Sequence, residues 1–250
     1  MTAAGLIARK EAGELLLDLR GQAWLLAMAC ALSAFSLLLV GSAELSLLDN
    51  AQVVYDMAGI ATALGALLAL VVGVDGIGGE RERGSLVPLL LTPASRGGIL
   101  LGKIGGVAMA WAAMLVLAVP FLWAVGSTGQ NLWDGMAVLV LLGTPVVLGF
   151  GLFGLGLGAR LGSTRAALLA GLIGLLVAAS PLLIGPSLRQ SALGRMFDAV
   201  NPFSAAVNGY DLVIIDSQGL LSQWMYLAHT LAWLALMLWF AHAAFRRVSR

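Results

Sequence analysis

Between Glu80 and Lys103 the chain reads Glu-Arg-Glu-Arg-Gly-Ser-Leu-Val-Pro-Leu-Leu-Leu-Thr-Pro-Ala-Ser-Arg-Gly-Gly-Ile-Leu-Leu-Gly-Lys. Glu80, Arg81, Glu82, Arg83, Arg96 and Lys103 make this the densest patch of charge, set between two long runs with almost none. Carboxylates alternating with guanidinium groups suit docking on one complementary surface, because mixed charge fixes register and partner rather than attracting one sign. The tail of the stretch suggests a second chemistry. Gly97 to Ile104 comes within one residue of the phosphate-cradling pattern, but Ile104 stands where a hydroxyl must reach magnesium, and no strand precedes it. Nucleotide binding at Lys103 is therefore not expected.

Other chemistry-bearing residues are sparse. Gly149, Gly151 and Gly154 form a formal GxGxxG inside an apolar helix that continues through Gly156 and Gly158, a setting for close helix packing. The same small-xxx-small spacing joins Gly98 to Gly102, Gly102 to Gly106 and Gly154 to Gly158, against neighbouring spans or a second copy. Ser33, Ser36 and Ser180 have no evident base, although His229 leaves an intramembrane hydrolase as the rival from another class. His229 and His242 lie thirteen residues apart, which is no metal-ligand spacing, and the single Cys30 excludes an internal disulfide or CxxC site. No bound cofactor or metal is expected in this chain.

These residues are embedded in a membrane protein. Hydrophobic residues are 60% and charged ones 11%, with a mean hydropathy of +0.96, against about 45–50% and about 25% for soluble domains. A net charge of +1 offers no field for nucleic acid. Six runs approach the roughly 20 residues needed per crossing: 24–41, 57–74, 99–125, 133–159, 166–185 and 222–244. The expected fold is all-α, one polytopic transmembrane domain over 1–250. Its leader (1–22) is an amphipathic helix lying on the membrane, with Ala8, Ala12, Leu15, Leu16 and Leu19 on its apolar face, Lys10, Glu14 and Asp18 on another, and Trp24 as anchor. Nothing in this leader reads as a cleavable signal.

Of the 14 cations, 12 lie in the leader, the loop 80–103, the short loop with Arg160 and Arg165, and the tail with Arg246, Arg247 and Arg250; only Arg189 and Arg195 fall on the other side. The positive-inside rule then puts both termini and the charged loop in the cytoplasm. Glu44, Asp49, Asp56, Asp134, Asp198, Asp211 and Asp216 fall outside. The long outer loop 186–221 is semi-apolar, as expected of short helices dipping into the outer leaflet.

The charged stretch resembles the signature of type-2 ABC exporter permeases: Glu-x-Glu-x-Gly-Thr-Leu, a leucine run, Pro-x-Ser-Arg and Leu-Gly-Lys. The matching positions are Glu80, Glu82, Gly84, Leu86, Leu89, Leu90, Pro93, Ser95, Arg96, Leu101, Gly102 and Lys103. Ser85 replaces the usual Thr, and Pro88 is an unexpected helix breaker. The Ala-Arg-Lys-Glu leader at 8–11, Asn201-Pro202 and the Arg246-Arg247 ending extend the resemblance. Within that family the chain is most similar to the permease that works in maturation of nitrous oxide reductase. The resemblance implies a homodimeric permease in a bacterial inner membrane, coupled through a helix in 80–96 to a cytoplasmic ABC ATPase dimer that carries ATP and Mg. Glu80, Glu82 and Arg83 would pair with the ATPase, Leu86 and Leu89 would fill its groove, and Pro93 to Lys103, including Arg96, would return the chain to the membrane. Partners are thus the ATPase, a second copy, membrane lipid and an extracytoplasmic accessory protein on the outer loop. The same positions recur among multidrug, lipid and ion exporters, and a structural membrane anchor is a further alternative.

Overall fold

The computed structural model describes residues 2–41, 50–126, 132–182 and 191–248; Glu44, Asp49, Pro186, Arg189 and Arg250 lie outside them. Every regular element among the described residues is helical: α1 (Ala3–Leu16), α2 (Leu19–Gly41), α3 (Asn50–Val74), α4 (Leu86–Leu90), α5 (Arg96–Gly126), α6 (Leu132–Arg160), α7 (Thr164–Ala179), α8 (Ala192–Val200), α9 (Pro202–Tyr210) and α10 (Trp224–Val248). Six helical stretches, built on α2, α3, α5, α6, α7 and α10, are long and apolar enough to cross a membrane. They coincide with the six apolar runs of the sequence.

The bundle is built around α6. Between apolar helices in lipid there is little hydrophobic drive to associate, so close backbone approach and van der Waals contact must do the work. The glycines of α6 permit that approach on two faces. A methyl group at Gly154 would meet the Leu70 carbonyl at 2.5 Å, and one at Gly158 would meet the Val74 carbonyl at 2.7 Å, so this ridge seats α3. On the opposite face Gly149 receives the Trp233 ring and Gly156 the Phe240 ring of α10. The five-residue turn Leu139–Gly143 is a π-turn just before Pro145, a widening that accommodates a proline lacking an N–H to donate.

The leader forms the expected short helix and also makes a contact that its pattern did not announce. It packs along α5, burying Leu15 of the expected apolar face together with Ile7 and Glu11, and it stops at Leu16. Gly102 and Gly106 form the notch that receives Ile7 and Glu11, so this small-xxx-small pair serves the chain's own leader. Leu6, Leu16, Leu17 and Leu19 remain exposed.

The region before the last span is structured. Asn201 caps α9 through its Oδ1, which accepts from the Phe203 N–H at 2.8 Å, while its Nδ2 donates to the Ala178 carbonyl at 2.9 Å. Pro202 then occupies the first helical position, where no N–H is required. Pro202 and most of α9 are buried among α3, α6, α7 and α10, and Tyr210 shares a 2.8 Å hydrogen bond with Thr62. By contrast α8 exposes Met196 and Val200. The segment before the last span therefore holds one surface helix and one helix inserted among the spans.

Gly154→Val should be among the most damaging single changes. Overpacking against rigid backbone is expected to cost roughly 3 kcal/mol, read as a lower unfolding temperature in detergent, whereas Gly162→Ala, with open space around it, should leave that temperature unchanged.

Candidate functional site

The charged stretch begins where α3 ends. The helix widens into a π-turn over Asp75–Gly79 and tightens again over Glu80–Glu82. Gly84 then stops it with φ +73°, the left-handed conformation that glycine adopts at least cost. The Ser85 N–H reaches the Glu80 carbonyl at 2.9 Å and the Gly84 N–H reaches the Arg81 carbonyl at 3.1 Å, the paired bonds of a Schellman C-cap. The Glu-x-Glu-x-Gly pattern is thus a helix terminator with charges on its last turn.

Those charges point inward. Glu80 is 2% exposed, and its Oε1 lies 2.7 Å from both Lys10 Nζ and Lys103 Nζ. Lys103, also 2% exposed, places its Nζ 2.6 Å from Glu11 Oε1. Acid and base alternate through Lys10, Glu80, Lys103 and Glu11, joining α1, the end of α3 and α5. Gly76 lies beside this chain: a methyl there would make ordinary van der Waals contact, 3.7 Å from Lys103 Cδ and 3.8 Å from Glu11 Oε2. Burial pushes the Glu11 carboxyl above its ordinary value of 4.5 despite the ammonium of Lys103 beside it. Burial draws the Lys10 ammonium down, but the carboxylates of Glu80 and Glu14 more than offset it, leaving it above its ordinary 10.5.

The neighbouring residues tie the same turn to α6 and α7. Arg81 donates to the carbonyls of Gly158 at 3.2 Å, Ala159 at 2.9 Å and Leu161 at 2.6 Å, closing the C-terminus of α6. Glu82 Oε1 accepts the Thr164 N–H at 2.8 Å, so a carboxylate sits at the N-terminus of α7, the end its dipole favours. Arg83 pairs with Asp75 at 3.2 Å.

After Gly84 the polarity inverts. In α4, Leu86 is buried and Leu89 and Leu90 are half-buried, while Val87 is 64% exposed and Leu91, just past its end, is 81% exposed. Pro88 causes no break. It is the third residue of α4, within the first turn, whose N–H groups have no acceptor inside the helix; the first helical bond runs from the Leu89 N–H to the Ser85 carbonyl at 3.1 Å. Pro93 and Arg96 are exposed, and Ser95 Oγ accepts the Gly98 N–H at 3.1 Å at the start of α5.

Two residues assigned to the docking surface from sequence are therefore internal: Glu80 pairs with Lys10 of the leader, and Leu86 is packed in the core; Lys103, on the segment expected to return the chain to the membrane, pairs with Glu80 and Glu11. Glu82, Arg83, Gly84, Pro93 and Arg96 remain at the surface. Lys10, Glu11, Arg81, Val87 and Leu91 were not singled out for this role. Glu11 did carry a signal, since it falls four residues from both Ile7 and Leu15, an acid in an apolar stripe that calls for a buried cation. The serine and histidine alternative gains no geometry. Ser33 and Ser180 donate to the carbonyls of Ala29 and Val177 in their own helices, and the cavity beside His229 is lined by Arg195, Asp198, Ala199, Ala205, Asn208 and Tyr226, with no serine.

Lys103→Met should cost about 3–5 kcal/mol, the usual penalty for leaving buried charge unpaired, and Glu80→Gln in the same chain should recover part of it in a double-mutant cycle. Lys10→Met should cost far less, because that side chain is 50% exposed. The raised Lys10 value carries a sign: its contribution is complete below pH 10.5 and is lost as pH rises through its higher folded value. Proteolytic protection of α1 should accordingly hold from neutral pH to about pH 9–10 and fall at more alkaline pH.

The family model described as "ABC-2 family transporter protein" matches residues 7–250. Two curated relatives, each a "Probable ABC transporter permease protein NosY", come from Stutzerimonas stutzeri and Pseudomonas aeruginosa; each is 40% identical over 108 residues, covering 40% of this chain and 37% of the relative. The match thus spans little more than a third of those relatives' own length. With the family model covering nearly the whole chain, from the leader through the charged turn to the last span, the chain belongs to the ABC-2 family of transporter proteins.

Proposed function

We propose that the chain is the permease subunit of an ATP-binding cassette exporter, working as a homodimer in the bacterial inner membrane with both termini cytoplasmic. ATP and Mg bind to a separate pair of ATPase subunits. The observation that carries this reading is the shape of the segment from Glu80 to Arg96. Its first turn is tied to α1, α5, α6 and α7, and its short helix turns Val87 and Leu91 outward. A surface of two apolar side chains rimmed by Glu82, Arg83 and Arg96 suits insertion into a groove on a partner, with charge setting the register. Val87 and Leu91 replace Leu86 and Leu89 as the apolar docking residues, and Glu80 and Lys103 hold the docking element instead of touching the partner.

Motion of the ATPases would move α4, and through the ion-pair chain α4 would carry α3, α5 and α1 together. The widened turn at Asp75–Gly79 is the natural place for the bend, since its glycines let the end of α3 shift against α6 and α7. The outward apolar faces of α2 and α7 support a second copy at the dimer interface. Resemblance favours a cargo in maturation of nitrous oxide reductase, with multidrug, lipid or ion export as neighbouring alternatives and an extracytoplasmic accessory protein as a further partner.

Val87→Asp combined with Leu91→Asp should leave the unfolding temperature of the permease unchanged, because both side chains are exposed, and should lower retention of its ATPase on affinity purification roughly tenfold or more. Undiminished retention and ATP-driven transport in that variant would remove α4 as the docking element.

A further inference from the structure

The charged turn holds a second loop beside it. Between α6 and α7 the chain is only Leu161, Gly162 and Ser163, and the coupling segment grips both ends of it. Arg81 bonds the Gly158, Ala159 and Leu161 carbonyls on the α6 side, and Glu82 accepts the Thr164 N–H on the α7 side. Gly78 adds packing there, since a methyl group on it would meet Thr164 Oγ1 at 3.0 Å. This loop and the base of α4 therefore form one continuous surface at the same end of the bundle.

Three features of the loop are not explained by the protein's own packing. Gly162 is exposed, lies outside the left-handed region, and has no atom within 4 Å of the place a methyl group would take. Neither its backbone nor its neighbours require glycine, whereas the close approach of another chain would. Ser163 stands at the N-cap of α7, where a serine hydroxyl ordinarily accepts from the helix, yet its side chain makes no capping bond and is exposed. Arg165 is exposed in the first turn of α7, where the helix dipole disfavours a cation. It acts on the Glu82 carboxylate through space, but that carboxylate is already bonded to the Thr164 N–H. Arg160, by contrast, sits in the last turn of α6, which favours it, and lies over the Phe240 ring at 4.8 Å. The positive-inside bias accounts for a cation in this loop, but not for the glycine or the idle hydroxyl.

We propose that the loop 161–164 is a second docking contact for the ATPase subunit. It would take an acidic segment of that partner, with the partner's backbone against Gly162 and a carboxylate on Arg165 and Ser163 Oγ. The inference rests on the permease reading above. Continuity and charge select the occupant. The loop is bonded to the segment that carries Val87 and Leu91, so a partner seated on α4 meets it next, and residues 159–166 hold two arginines and no acid. One apolar contact and one charged contact would together fix the rotation of the ATPase beneath the bundle, which one short helix alone would leave loosely set.

The test uses the full-length permease co-expressed with its ATPase and purified through a tag on the permease. Gly162→Trp and Arg165→Gln should both leave the unfolding temperature of the permease unchanged, the first because it enters open space, the second because it removes a cation from a helix start. Retention of the ATPase should fall about tenfold for Gly162→Trp and about threefold for Arg165→Gln. Raising salt from about 50 to about 500 mM should weaken the native complex more than the Arg165→Gln complex. Ser163→benzoylphenylalanine should cross-link to the ATPase on illumination. Full retention in both loop variants without a cross-link, while Val87→Asp with Leu91→Asp loses the ATPase, would overturn the loop contact and leave α4 standing. Loss in the loop variants alone would sustain the loop and remove α4. A cross-link to a second permease copy in place of the ATPase would overturn the proposal and assign the loop to the interface between copies.

Discussion

Lys103 is the residue on which the charged end of the molecule depends. An ammonium one or two turns into a membrane-spanning helix is tolerated only with a counter-charge in contact, because desolvating an unpaired ion costs several kcal/mol even after relaxation. Here it has two, Glu80 at 2.7 Å and Glu11 at 2.6 Å. Satisfying that single cation pins the end of α3 and the leader to α5. The leader's placement follows from this constraint together with the Gly102 and Gly106 notch: Glu11 must reach the ammonium, and the helix that carries it must lie close enough for Ile7 to enter the notch. The result is a helix–helix contact that the leader's apolar pattern alone did not announce.

The rest of the bundle is held by a different economy of small residues. Glycines on two faces of α6 let α3 and α10 approach its backbone, and several polar groups deep in the bundle are paired across elements. Thr62 with Tyr210 fixes the inserted α9 against α3, and Trp111 with Thr144 joins α5 to α6 at 2.8 Å. Asn201 performs three bonds at the head of α9, two to its own first turn and one to the carbonyl of Ala178. Such contacts give a mostly apolar bundle a specific arrangement, because dispersion among aliphatic side chains alone would discriminate weakly between alternative packings.

The six spans were legible because a crossing imposes a length and a hydropathy that few other structures share. The glycine runs were legible as packing ridges for the same reason: in an uncharged helix there is little else for them to do. The charged turn was legible as a distinct unit, but the direction of its side chains was not. A run of Glu-Arg-Glu-Arg reads as solvent-facing, and only its distant partners, Lys10 on the leader and Lys103 on α5, reveal why Glu80 turns inward. Pro88 illustrates the reverse error. A proline looks disruptive until the helix start is known, and Gly84, by ending the previous helix in the left-handed conformation, places Pro88 in a first turn where it costs nothing.

The inversion of polarity within one short segment bears on how force could pass through it. A loop that met its partner through flexible surface ion pairs would transmit little, since exposed pairs yield at small cost. Here Glu80 and Arg81 face the bundle, Glu82 caps α7 from the surface, and the exposed apolar side chains Val87 and Leu91 stand on and just past a helix whose base is fixed in four directions. Displacing that helix without displacing α3 and α5 would require breaking a buried, alternating chain of acid and base. Rigid-body movement of the whole hairpin is the cheaper path, with compliance left to the glycine-rich π-turn at Asp75–Gly79. On the proposed reading α4 would act as a lever, with the Glu80–Lys103 pair as its fulcrum.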